Sequence, residues 1–266
     1  MSGPGHDKDR NSTALCAAYV LEAVQRHLIT QATTEAWMRY YCGDTVAFSR
    51  TVARLMSSCF ACSLIADPII SAFCDSFGRK SVMLLRPFST LGCRAIQLYG
   101  MNHPSTFVVT QLITCAMEGY GPPAGLLGNA FRLGWESSLA DMFGTDLVQL
   151  AGWQSWMNMM PASSAMATPI LAGWLTLRSL RIPYQCSIVC CICNAVLVSC
   201  VVKETLPKHE RRKFSIRRAT NLLSFMKLLR RGAQLRRLVA MELLFLLGGM
   251  RAIFTVSDAL RTNGAH

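Results

Sequence analysis

Apolar residues gather into seven blocks, at 14–37, 51–74, 81–101, 105–129, 148–176, 182–202 and 239–258. Each is near the roughly 20 residues that a helix needs to cross the hydrocarbon core of a bilayer. In lipid the backbone must satisfy its own hydrogen bonds, so blocks of this length predict helices. The expected fold is an all-α membrane protein, a bundle of six or seven transmembrane helices. The first block is interrupted by Glu22, Gln25, Arg26 and His27. It reads either as a spanning helix that lines a polar cavity or as an amphipathic helix on the membrane surface, and the spanning reading is preferred. In the fourth block Gly121, Gly125 and Gly128 offer a small-residue face for close helix approach. Pro122 and Pro123 beside them predict a kink.

The loops give a topology by parity. Arg79 and Lys80 separate the second and third blocks, and the segment 203–237 follows the sixth. Four crossings lie between, so both belong on one side. A spanning first block puts Lys8 and Arg10 there too. The loop 99–105 on the other side has no Lys or Arg, and 177–181 has only Arg178 and Arg181. The excess of basic loops marks the amino terminus and the 203–238 loop as cytoplasmic. The chain thus divides into a tail at 1–13, a six-helix bundle at 14–202, a basic linker at 203–238, and a seventh helix within 239–266.

Composition agrees. The 266 residues are 52% hydrophobic and 16% charged, whereas a soluble domain carries about 25% charged residues. The net charge of +12 invites a nucleic-acid reading, but ten of those charges fall within 203–237, and no motif supplies an aromatic stacking platform. No nucleic-acid partner is expected. Leucines and Phe225 among the arginines of 219–237 fit a basic amphipathic helix on an anionic leaflet, or equally a linker helix with solvated charges. Residues 1–12 are polar and do not form a secretory signal. Most of the twelve cysteines fall in apolar blocks, where a thiol behaves as a small hydrophobe. Cys59-Phe60-Ala61-Cys62 is a lone Cys-x-x-Cys with no second pair to make a metal or redox site.

Charges at membrane depth are costly and carry functional hypotheses. The candidates are Glu22, Arg26, Asp67, Arg94 and Glu118. Glu22 and Arg26 stand one helical turn apart and can pair. Asp67, Glu118 or Glu22 can serve as a proton acceptor during transport, since burial disfavours the carboxylate form. The alternative is a structural ion pair, such as Asp67 with Arg94. Arg132, Glu136, Asp141 and Asp146 fall near the cytoplasmic end and belong to a gate or a solvated loop.

The turn after the second block reads Ser71-Ala-Phe-Cys-Asp75-Ser-Phe-Gly78-Arg79-Lys80. It resembles the signature loop between helices two and three of the major facilitator superfamily, Gly-x-x-x-Asp-Arg/Lys-x-Gly-Arg-Arg/Lys. Asp75, Gly78, Arg79 and Lys80 match in identity and spacing; Ser71 and Ser76 replace a glycine and a basic residue. Thr168-Pro169-Ile-Leu-Ala-Gly173 resembles the Gly-Pro-x-x-Gly-Gly segment of helix five. Lys203-Glu-Thr-Leu-Pro207 is similar to the ending of helix six in drug- and proton-coupled members. The resemblance runs over about 14–258 and implies twelve helices in two halves, with a substrate site between them at mid-membrane. It implies that Asp75, Gly78, Arg79 and Lys80 form a cytoplasmic gate latch in which Asp75 pairs with Arg79 and caps a nearby helix, and that Pro169 and Gly173 are a packing motif.

The chain holds the amino-terminal half plus one helix, so a partial, truncated secondary transporter, antiporter-like in its motifs, is expected. Its partners would be a small-molecule solute, protons, lipid, and a second half or another copy. The expected activity is transport by alternating access; the alternative is a non-transporting partner or regulator of full-length transporters. No enzyme is expected, because His-x-x-x-His boxes and a Gly-x-Ser-x-Gly elbow are missing and the five histidines are scattered. No metal or cofactor is expected either.

Overall fold

The computed structural model describes residues 4–103, 106–119 and 125–215, together with 232, 236, 237 and 240. The chain divides into two compact units, Met1–Ala219 and Thr220–His266, and the fold below is that of the first. Apart from those few positions, 219–237 and 239–258, read above as a basic amphipathic helix and a seventh span, lie outside the described residues.

The unit is built of α1 (Pro4–Tyr40), α2 (Thr45–Phe77), α3 (Arg79–Asn102), α4 (Phe107–Glu118), α5 (Ala130–Phe143), α6 (Leu147–Arg178) and α7 (Arg181–Cys200). α1, α2, α3, α4, α6 and α7 fall on the first six apolar blocks, α4 taking only the first half of the fourth; α5 lies beyond that block, in the stretch with Arg132, Glu136 and Asp141 that reads in sequence as a gate or a solvated loop. The expected tail 1–13 differs: residues from Pro4 onward already belong to α1. At 37 residues, this helix is about 55 Å long and overhangs a hydrocarbon core of about 30 Å.

Helix starts are written locally. Asp44 Oδ1 accepts from the amides of Val46 and Ala47 at 2.9 and 3.0 Å, starting α2. Asp146 Oδ1 does the same for α6 through Val148 and Gln149, at 3.1 and 3.0 Å. Such side-chain caps satisfy amides that the first turn leaves open.

The fourth block is an interruption where a kink was expected. α4 stops at Glu118 and helix resumes at Ala130; Pro122 and Pro123 lie outside the described residues. The chain after the break returns to close the end of α4. Leu126 and Leu127 amides donate to the Ala116 and Met117 carbonyls, each at 2.8 Å, and the Gly125 amide donates to Cys59 O at 3.1 Å. Non-helical backbone at this depth is tolerated because its polar groups are taken up inside the protein. Gly125 is part of that turn (φ +86°), and a Cβ there would meet the Ala116 carbonyl and the Gly119 amide at 2.8 Å.

α3 is central, touching α2, α4, α5 and α7, while α1 packs chiefly on α6 and α7. One apolar core joins Leu15, Met83, Phe131, Trp135, Leu139 and Met157. At the opposite end Trp37, Tyr40, Tyr41 and Phe107 form an aromatic cluster. Outward faces are apolar: Leu64, Val148, Ile170 and Leu177 are 71–88% exposed, while Arg86 and Arg94 are at most 3% exposed. A bundle that is greasy outside and charged within suits lipid.

Two described helices, α2 and α7, are long and apolar enough to cross a membrane by composition. α1 and α3 fall short because of the very polar residues that they bury, among them Glu22, Gln25, Arg86, Arg94 and Gln97. The described cysteines are all free, and Cys59, Cys74, Cys93, Cys115 and Cys191 are buried.

Gly134 of α5 seats that helix on α3: a Cβ there would crowd Met83 and lie 3.2 Å from the Arg79 carbonyl. Gly134→Val is therefore expected to destabilise the fold by about 1–3 kcal/mol. Thermal unfolding of the detergent-solubilised protein reads this, and an unchanged midpoint would contradict the close contact.

Candidate functional site

Four helices bring a charged cluster together inside the bundle. Glu22 of α1 accepts from Arg86 Nε at 2.8 Å and Arg26 Nη2 at 3.2 Å, and also from Gln25 Nε2. Arg94 of α3 donates through Nη2 to Glu118 of α4 at 2.7 Å. It also donates through Nη1 to Gln97 Oε1 at 2.6 Å. Gln97 Nε2 continues to Gln111 Oε1 and Thr114 Oγ1 at 3.1 and 3.2 Å. Arg94 Nε reaches Ser187 Oγ of α7 at 3.4 Å, and Ser187 donates to the Gln25 carbonyl at 3.0 Å. Glu22, Arg86, Arg94 and Glu118 are each at most 5% exposed.

A cavity of about 50 Å³ opens on this cluster, lined by Arg26, Arg86, Arg94, Gln111, Glu118 and Thr33 among others. By volume it holds about three or four waters. Its polar wall combines guanidiniums, a carboxylate, amides and hydroxyls, a set that can bind and orient a small polar group.

A second cluster lies at one end of the bundle. Arg79 donates through Nη1 to Asp75 at 2.6 Å and through Nε to Asp141 of α5 at 3.1 Å. Its backbone amide, the first of α3, donates to Glu204 Oε1 at 2.9 Å. Glu204 also faces Arg211 Nη2 at 3.6 Å. Thr205 Oγ1 donates to Asp141 at 3.1 Å, and the Arg212 amide donates to the Asp75 carbonyl at 2.9 Å. The chain after α7 is thus a strap laid over the α2–α3 turn. Gly78 (φ +101°) makes that turn, and a Cβ there would overlap the Glu204 carboxylate. Lys80 Nζ donates to the Ser199 carbonyl at 2.7 Å, Lys8 Nζ to the Met142 carbonyl at 2.9 Å, and the Lys203 amide to Asn11 Oδ1 at 2.8 Å. The start of α1, the α2–α3 turn, the α5–α6 corner and the strap therefore share one end.

The sequence-predicted residues fall as follows. Glu22, Arg26, Arg94 and Glu118 come together in the inner cluster. Asp67 does not join Arg94: Arg94 is held by Glu118, and Asp67 Oδ2 accepts from Asn129 Nδ2 beyond the helix break, at 2.8 Å. Asp75, Gly78, Arg79 and Lys80 sit together in the end cluster. Asp75 faces Arg79, and it is Glu204 that caps α3. Asp141 joins that cluster, Asp146 caps α6, and Arg132 pairs with Glu136 on α5 at 2.7 Å. Pro169 is exposed, and a Cβ on Gly173 would meet nothing within 4 Å, whereas Thr168 and Ala172 of the same segment are buried, so Pro169 and Gly173 lie on the face of α6 turned away from the described helices. Arg86 escaped the sequence reading. Its signal was the spacing Arg86, Thr90, Arg94, Gln97, a polar stripe along one face of an apolar helix.

This arrangement, a helical bundle with a buried polar cluster and a charged end turn, has the fold of part of a solved transporter. Superposition with a solved human protein, the organic anion transporter MFSD10 (TETRAN), gives a TM-score of 0.60 at 17% sequence identity. The match covers 81% of this chain and 51% of that one, so the chain accounts for about half the length of the transporter it matches. No family model matches the sequence, and the curated proteins hold no match either.

Two outcomes are expected for the clusters. Glu118→Gln strands Arg94, and breaking a buried pair from one side costs about 3–5 kcal/mol; the double variant Arg94→Gln with Glu118→Gln should lose less than either single variant. A thermal double-mutant cycle measures this, and additive losses would refute the pairing. Gly78→Ala, strained and pressed on Glu204, should cost about 1–3 kcal/mol. Adding Glu204→Ala should recover part of that loss.

Proposed function

We propose that this chain forms one half of a secondary transporter that moves a small solute by alternating access. The carrying observation is the inner cluster, where buried charges from α1, α3 and α4 line a polar cavity midway along the helices. Buried charges of this kind mark solute or ion pathways, and transporter sites lie at this depth between two repeats. The likeness to a solved organic anion transporter supports the same reading. The end carrying Lys8, Arg79, Lys80, Lys203 and Arg211 is assigned to the cytoplasm, since basic residues mark that side. There the Asp75–Arg79–Asp141 cluster and its strap act as a gate, with Pro169 and Gly173 facing the second half. Among the embedded carboxylates Asp67 is assigned the coupling proton, because its hydrogen bond is to Asn129, whereas Glu22 and Glu118 are held by arginines.

The full chain in proteoliposomes, offered a panel of radiolabelled organic solutes, should give saturable uptake above protein-free vesicles. Asp67→Asn should flatten the dependence of that uptake on a pH gradient while leaving solute exchange intact. Failure of any solute to enter, with a full-length transporter co-purifying from cells, would replace transport by the reading of a non-transporting partner or regulator.

A further inference from the structure

We infer that the inner cavity is an anion site, in which Arg26 and Arg86 hold a carboxylate- or phosphate-like oxygen group. The inference deepens the transport reading by naming the solute class, and rests on it for the word solute.

Three observations carry it. The first is charge: three guanidiniums, of Arg26, Arg86 and Arg94, face two carboxylates, Glu22 and Glu118, so the described cluster holds one positive charge in excess. An uncompensated charge inside a bundle is costly and calls for a counter-ion. The second is hydrogen bonding. Arg26 Nε, Arg86 Nη1 and Gln111 Nε2 are buried with no partner among the described residues. All three side chains line the cavity, as does Glu118, whose Oε1 is the one unpartnered acceptor among the described lining atoms; three open donors against one acceptor favour a group that accepts. The third is enclosure: Arg86 is 2% exposed and Gln111 is fully buried, while the Arg26 side chain keeps 21% exposure, so an oxyanion that enters past Arg26 meets Arg86 away from most competing water, where such a bond is short and strong. The carbonyl end of α4 does not compete for these donors, because the Gly119, Leu126 and Leu127 amides occupy it. The excess resides on Arg26: Glu22 keeps Arg86 and Gln25 without it, and Glu118 keeps Arg94.

The test is binding, separate from uptake. The full chain in nanodiscs of neutral phosphatidylcholine is titrated with benzoate and with benzamide, its uncharged isostere, by calorimetry. Benzoate should bind saturably and benzamide at least tenfold more weakly. Arg26→Gln neutralises the excess while leaving both buried pairs, and should weaken benzoate at least tenfold; Arg26→Lys should retain binding. Glu22→Gln, which raises the excess, should tighten it, an outcome that a misfolded variant cannot produce. Nanodiscs containing phosphatidylserine distinguish the source of the oxyanion. Displacement of benzoate by that lipid, dependent on Arg26, assigns the same site to a headgroup. Equal binding of benzoate and benzamide, no binding of either, or indifference to Arg26→Gln overturns the inference. Binding without uptake would sink the transport reading and leave the anion site standing; uptake of neutral solutes without benzoate binding would do the reverse.

Discussion

The rule that a charge buried away from water must find its opposite organises this bundle. α3 carries Arg86 and Arg94 about 12 Å apart along its axis, and neither can reach solvent. Glu22 comes from α1 for the first and Glu118 from α4 for the second. Apolar packing in lipid discriminates poorly between neighbouring registers, because acyl chains are as apolar as leucine. The two ion pairs do discriminate: sliding α1 or α4 by a turn against α3 would strand two charges at once. α7 is tied to the same stripe through Ser187, and α1 through the Gln25 carbonyl that Ser187 contacts. The polar network therefore sets the register of the half, while the apolar clusters above and below it supply contact area.

The same helix governs the end of the bundle. Arg79 opens α3, binds Asp75 and Asp141 with its side chain, and offers its amide to Glu204. Two of these partners, Asp141 and Glu204, lie far along the chain, so the α2–α3 turn, α5 and the strap after α7 are locked through one residue. Any tilt of α3 that rearranges Arg86 and Arg94 also moves Arg79. One helix of 24 residues thus links the ion pairs inside the bundle to the contacts at its end, without a chain of intermediate side chains. The strap acts from the opposite side, since Glu204 caps α3 only where Gly78 leaves room.

Much of the architecture was legible in sequence, for reasons that also mark where legibility stopped. α2, α3, α6 and α7 appear within a few residues of the apolar blocks because lipid demands one continuous helical run. The Asp75–Arg79 pair was readable because it is local, four residues apart on one helix. Glu118 with Arg94, and Glu22 with Arg86, were not, because pairing across helices depends on register that periodicity does not give. Asp67 was offered to Arg94 on proximity of depth alone, and Asn129 took it. Arg86 sat unnoticed between Leu85 and Pro87, although its spacing to Arg94 marked the same stripe. Glu204 was visible as part of a terminal motif, but its role as the cap of α3 required the strap to fold back.

The break in the fourth block joins these features. Glu118 is the last residue of α4, directly before the interruption, and Asn129, which holds Asp67, directly precedes α5. Both ends of the break thus hold an embedded charge in place, one bound to α3 and one to α2. An unbroken helix would carry Glu118 and Asn129 eleven residues apart, about 16 Å along one axis. Instead the returning chain places the amides of Leu126 and Leu127 on the Ala116 and Met117 carbonyls, which folds that distance back on itself. The interruption therefore lets the two ends of one short stretch of chain hold Glu118 against Arg94 of α3 and Asn129 against Asp67 of α2.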